Sequence, residues 1–148
     1  AGVQAAMATA WHPPDPVALA QPLADLTGLF GTLKSQALKI AIATSDDHTP
    51  TEALILAWGL SPLVDAIIGA DDGLAHKPDP QMLLHLCDRF NLSPAKAVMV
   101  GDNPDDLRMG RAAAVGLTVG VLSGLGSADN LGPLADVILA DVGRLISP

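Results

Sequence analysis

The spacing of apolar residues changes several times along the 148-residue chain, and each change marks a boundary between elements. Over 23–33, Leu26, Leu29, Phe30 and Leu33 recur at helical spacing, and LKIAIATS at 38–45 is an apolar strand closing on small polar residues. TPTEALILAWGL at 49–60 predicts a helix with Thr49 as its cap, Pro50 near its start and Gly59 as its stop. DAIIGADD at 65–72 holds a second strand over 66–69. DPQMLLHLCDRFNL at 79–92 puts Leu83, Leu86, Cys87 and Phe90 on one helical face, and AVMVGD at 97–102 is the next strand. A helix over 104–116 ending near Gly116, a strand within 117–124 and a short strand within 135–142 complete the series. Continuous apolar strands separated by amphipathic helices predict an α/β fold: a Rossmann-like, doubly wound, mostly parallel sheet covered on both faces.

The first residues break this pattern. AGVQAAMATA at 1–10 is Ala-rich and permits a helix, whereas WHPPDP at 11–16 interrupts any regular element and reads as a linker. At 49% hydrophobic and 16% charged, the chain is long enough for one globular core. Its acids are almost all Asp, with Glu52 the exception, so negative charge should collect at element ends, where sites are built. A net charge of -8 with scattered Lys and Arg argues against a nucleic-acid or anionic-membrane partner and for a small molecule. One cysteine, Cys87, excludes an internal disulfide and fits a cytoplasmic location, and no apolar run is long enough to span a bilayer.

Doubly wound sheets bind ligands at the carboxyl ends of their strands. Three stretches fall there: Thr44-Ser45, the loop HKPDP at 76–80, and GDNPDD at 101–106. A hydroxyl, the Lys77 ammonium and clustered carboxylates on one rim are the groups phosphoryl transfer requires, with hard oxygens for Mg2+ and Lys and Thr for the phosphoryl oxygens. Asp102 and Asp106 bracket a turn from which both can face one ion. Each piece also has a plainer use. Asn103 can cap a helix that begins at Pro104, with Asp105 and Asp106 favoured in its first turn. Lys77 can be a solvated loop residue, and Thr44 can satisfy local backbone. The order and shared placement of the three favour the joint use. His48, His76 and His85 form no metal-spaced set and read as structural or solvated, as does His12 in the Pro-rich stretch. Cys87, Met82 and Phe90 read as core. GLGSAD at 124–129 lacks the third glycine of a dinucleotide fingerprint.

Thr44-Ser45 after an apolar strand, KPDP at 77–80 and VGDNPDDLRMGRAAAVG at 100–116 resemble, in order, the second, third and fourth motifs of the haloacid dehalogenase superfamily, in its phosphoglycolate-phosphatase-like branch. The resemblance covers about 22–148. It implies a Rossmann-like core and Mg2+-dependent hydrolysis of a small phosphorylated metabolite through an aspartyl-phosphate. Thr44 and Ser45 would bind the phosphoryl group, Lys77 would offset negative charge, Asp102 would ligate Mg2+ and Asp106 would support that coordination. A response-regulator receiver uses similar groups, but with the acid pair early and the Lys late.

The family's first motif, a strand ending in Asp-x-Asp, is missing: no two Asp in this chain are separated by a single residue. The resemblance places that strand upstream of residue 1 with most of the cap domain, so 1–21 reads as a residual cap tail and linker and 22–148 as the core. Relatives carry the strand mid-sheet, so its loss would leave two neighbours with open backbone groups. Pairing between chains through that gap, hence a homo-oligomer, is the expectation. Two outcomes follow, a truncated phosphatase with reduced or altered activity, or an inert module that binds Mg2+ or phosphate without turnover.

Overall fold

The computed structural model describes residues 15–146. Most of the Ala-rich and Pro-rich start therefore lies outside the described residues. The end of the linker does not: Pro16 opens a single helical turn, α1 (Pro16–Leu19), where its missing N–H is no loss.

Helix α2 (Leu26–Ser35) is capped by Asp25, whose carboxylate accepts the Gly28 N–H at 3.0 Å, and it buries Leu29 and Phe30. Strand β1 (Ala41–Ala43) follows, then α3 (His48–Ala57), β2 (Ala66–Ile68), α4 (Gln81–Arg89), β3 (Val98–Gly101), α5 (Pro104–Ala112), β4 (Leu117–Val121), α6 (Ala128–Leu131) and β5 (Val137–Leu139). Two expected boundaries move. Helix α3 starts one residue before Thr49, because the Asp71 carboxylate accepts the His48 N–H at 2.7 Å and does the work of a cap from a neighbouring loop. Helix α5 stops at Ala112, well before Gly116, because Ala114 turns left-handed at φ 56°. Gly116 serves close approach instead: its N–H reaches the Ala97 carbonyl at 3.0 Å, and a Cβ there would strike the Ala95 carbonyl. Gly59, at φ 70°, does end α3 as expected.

Among the described residues all strand pairs are parallel, but the sheet is in two pieces: β1 pairs only with β2, and β3 heads a separate three-stranded sheet in the order β3-β4-β5. Helices cover both faces, as a doubly wound fold requires. One cluster joins Ala66 and Ile68 of β2 to Met82, Leu83, Leu86 and Cys87 of α4 and to Met109 of α5, with Ala41, Ala43 and Met99 packed against it. The other joins Leu29 and Phe30 of α2 to Ile40, Ile55 of α3 and Leu60. The first cluster therefore ties the half-sheets together through α4 and α5, where no ladder of hydrogen bonds does. Asp65 ties the start of β1 to α2, accepting Lys34 Nζ at 2.7 and 2.9 Å and the Ile40 N–H at 2.8 Å. Burial raises its pKa, but Lys34, the Ile40 N–H and the nearby Lys39 charge together hold it below the usual carboxylate value.

Candidate active site at the split in the sheet

Among the described residues the strands form two parallel half-sheets, β1-β2 and β3-β4-β5, and in folds of this kind ligands bind at the carboxyl ends of the strands. Thr44 stands at the carboxyl end of β1 and Gly101-Asp102 at that of β3. The loop after β2 sends Lys77 across, and its Nζ lies 2.6 Å from Asp106 Oδ1 in the first turn of α5. This contact fixes the geometry of the rim, because it shows that both half-sheets present their carboxyl ends to the same side. The two side chains are 12% and 9% exposed, so this is a shielded charge pair and not a surface one.

Asp106 is held from both directions. Its Oδ2 accepts the Asn103 N–H at 3.2 Å while Asn103 accepts the Asp105 N–H at 3.0 Å, the reciprocal bonds of a capping box. Capping and the contact with Lys77 are thus both present, on different oxygens of the Asp106 carboxylate. Gly101 permits this: a Cβ there would lie 2.7 Å from Asp106 Cγ. Asp102 points elsewhere along the rim. Its Oδ2 accepts the Leu125 N–H at 2.9 Å, and Gly124 leaves room for that carboxylate. Thr44 Oγ1 accepts the Asp46 N–H at 3.1 Å, the local bond expected of a strand-end hydroxyl, and Ser45 is exposed. Lys77 and Asp106 are therefore in contact, while Thr44, Ser45 and Asp102 share their rim without touching the pair.

Two features went unread in the sequence. The loop bearing Leu125, a residue 87% exposed, clamps Asp102; only the glycines at 124 and 126 hinted at close packing. His48, read as structural or solvated, pairs through Nδ1 with Asp72 Oδ2 at 2.6 Å. Asp72 also accepts the Gly69 N–H at 2.7 Å. The hydrogen bond to Asp72 raises the His48 pKa, and the Gly69 N–H, then His48, lower that of Asp72. This pair stitches the loop after β2 to the start of α3, a few residues from Thr44. A shallow depression of about 430 Å3 lies off the rim along α4, bounded by Leu74, Asp79, Gln81 and Asp88.

Among the described residues, no three His, Cys, Asp or Glu side chains gather to hold a metal. Two carboxylates fit Mg2+, which keeps several waters and takes the rest of its shell from substrate oxygens. They do not fit an all-protein cage for Ca2+ or Zn2+. Among the described residues, no helix is long and apolar enough to cross a membrane.

Parallel half-sheets with helices packed against them, and Thr44, Lys77, Asp102 and Asp106 near strand ends, define a doubly wound α/β protein. The chain belongs to the haloacid dehalogenase-like hydrolases, a family it matches over residues 6–114. It is 32% identical over 110 residues to the phosphoglycolate phosphatase of Rhodospirillum rubrum, a match covering 74% of this chain and 46% of that one. A solved haloacid dehalogenase-like hydrolase from Bacteroides fragilis superposes with TM-score 0.76 at 30% identity, over 80% of this chain and 57% of that one. A β-phosphoglucomutase from Clostridium difficile shares the fold at TM-score 0.69 and 22% identity, over 82% and 51% of the two chains. The chain thus spans about half the length of the relatives it matches.

Proposed function

We propose that these residues form most of the core of a phosphate monoester hydrolase acting on a small phosphorylated metabolite. The observation that carries this is the Lys77–Asp106 pair, 2.6 Å apart and shielded from water at the carboxyl ends of split parallel strands. An ammonium fixed by one carboxylate at such a rim can offset the charge of an incoming phosphoryl group. In this reading Thr44 and Ser45 donate hydrogen bonds to phosphoryl oxygens, and Lys77 neutralises charge on the transferring group. Asp102 ligates Mg2+ and Asp106 fixes Lys77 while supporting the metal. Mg2+, when bound, supplies Lewis-acid stabilisation of the phosphoryl oxygens.

The reading also has a gap. The family's nucleophile and general acid come from an Asp-x-Asp that these 148 residues lack. Without it, covalent catalysis of the family type is unavailable to this chain alone. That absence favours a second reading, a module that binds Mg2+ or phosphate without turnover. Hydrolysis of p-nitrophenyl phosphate with and without Mg2+ separates the two. Mg2+-dependent turnover that Asp102→Asn lowers by about 10²-fold or more supports the enzyme. Mg2+-dependent thermal stabilisation without turnover, lost in Asp102→Asn, supports the module. No Mg2+ effect of either kind rejects the site.

A further inference from the structure

We propose that the backbone N–H of Leu125 is a positioning group for Asp102, turning one oxygen of that carboxylate toward Mg2+, a role that rests on Asp102 being the Mg2+ ligand. The two acids of the rim are held differently. Asp106 has both oxygens engaged, Oδ1 by Lys77 Nζ at 2.6 Å and Oδ2 by the Asn103 N–H at 3.2 Å. Asp102 has one engaged: its Oδ2 accepts the Leu125 N–H at 2.9 Å, and among the described residues no donor reaches Oδ1. Asp102 is therefore the acid with an oxygen to give to an ion, while Asp106 is committed to Lys77 and to the start of its own helix. A carboxylate can rotate about two side-chain bonds, so a fixed donor on one oxygen decides which way the other faces.

The loop is built to hold that donor still. It leaves β4 at Val121, and the Leu122 N–H is tied to the Leu139 carbonyl of β5 at 2.9 Å. At its other end Ser127 caps α6: its Oγ accepts the Asn130 N–H at 3.4 Å while Asn130 Oδ1 accepts the Ser127 N–H at 2.8 Å, and Leu131 is fully buried. Between these anchors two glycines press on Asp102. A Cβ at Gly124 would overlap its carboxylate, and a Cβ at Gly126 would overlap its carbonyl oxygen and lie 2.6 Å from Leu131 Cδ1. The Leu125 side chain takes no part, being 87% exposed, so the residue meets Asp102 through its backbone alone. Any residue but proline supplies that donor, so no side chain in the sequence marks it.

The sign of the effect separates positioning from charge. An N–H donated to a carboxylate draws charge from it and by itself weakens its hold on a cation, whereas fixing its direction strengthens that hold. The test is calorimetric titration of the purified 148-residue chain with Mg2+, without substrate. Leu125→Pro removes the N–H, and so does a backbone ester at position 125, made by nonsense suppression with the α-hydroxy acid of leucine, which leaves the side chain intact. Both should raise the Mg2+ Kd by about tenfold or more. Leu125→Ala retains the N–H and should restore binding to within about twofold of the parent. Should the proline unfold the chain, the ester decides. An ester chain that binds Mg2+ as tightly as the parent, or more tightly, overturns the positioning role and leaves the metal reading standing. Leu125→Ala weakening Mg2+ as much as the ester assigns the effect to the side chain and also overturns it. A parent chain that binds no Mg2+, or none better than Asp102→Asn does, overturns the positioning role and the metal reading together.

Discussion

Gly101 shows how much of the site rests on the lack of one atom. The first turn of α5 comes so close to the end of β3 that a Cβ at position 101 would lie 2.6 Å from Asp106 Oδ2. Gly101→Ala should push Asp106 off Lys77, destabilising the chain by about 1–3 kcal/mol by urea melting. It should also erase any Mg2+ effect that Asp102→Asn erases. His48 gives a pH prediction. Its pKa is raised by Asp72, so its share of stability is present below about pH 6.5 and lost as pH rises through the folded value. Asp72, lowered, contributes above about pH 4 and loses that contribution as pH falls through its folded value. His48→Gln should therefore flatten the fall in Tm between about pH 6 and pH 8. The change should be only a few degrees, because both side chains are 34% exposed. An unaltered pH profile would show that the pair does not hold its loops together.

Among the elements, α5 carries the most. It places Asp106 at the rim, packs Met109 into the cluster shared by the half-sheets, and buries Leu107 completely. Leu107→Ala should cost about 2–5 kcal/mol in a denaturant melt; a smaller loss would mean the site collapses around the cavity. The sequence made α5 legible because Asn103-Pro104 and the acids after them are strong start signals, and its end was missed because Ala114 takes a left-handed turn without a glycine to announce it. Helix α3 was misplaced for a related reason. Its cap, Asp71, comes from a loop more than twenty residues away, which no local pattern reveals. Apolar periodicity, by contrast, placed Leu83, Leu86 and Cys87 correctly on the buried face of α4, with Phe90 at its end packed against the same cluster.

At the scale of the molecule, the parallel pairing followed from the alternation of strands and helices, and of the four residues expected on one rim the contact of Lys77 with Asp106 agrees with that expectation. The Asp102 clamp did not, because Leu125 reaches it across the fold. The break in the sheet was legible only through what the family motif lacks. Its physical cost appears in β1 and β3, whose sequences ask for enclosure on both sides and whose positions give it on one.

The cluster that holds the halves together also contains the only sulfhydryl of the chain, Cys87, 6% exposed and raised in pKa by burial. Alkylation of that largely buried sulfur should quicken when α4 lifts away, so labelling acts as a clock for the joint. Where apolar packing and the Lys77–Asp106 pair, but no backbone ladder, span the seam, the joint should yield before the rest. Labelling in mild urea should quicken with a shallower denaturant slope than global melting, and an equal slope would make the two half-sheets a single cooperative unit.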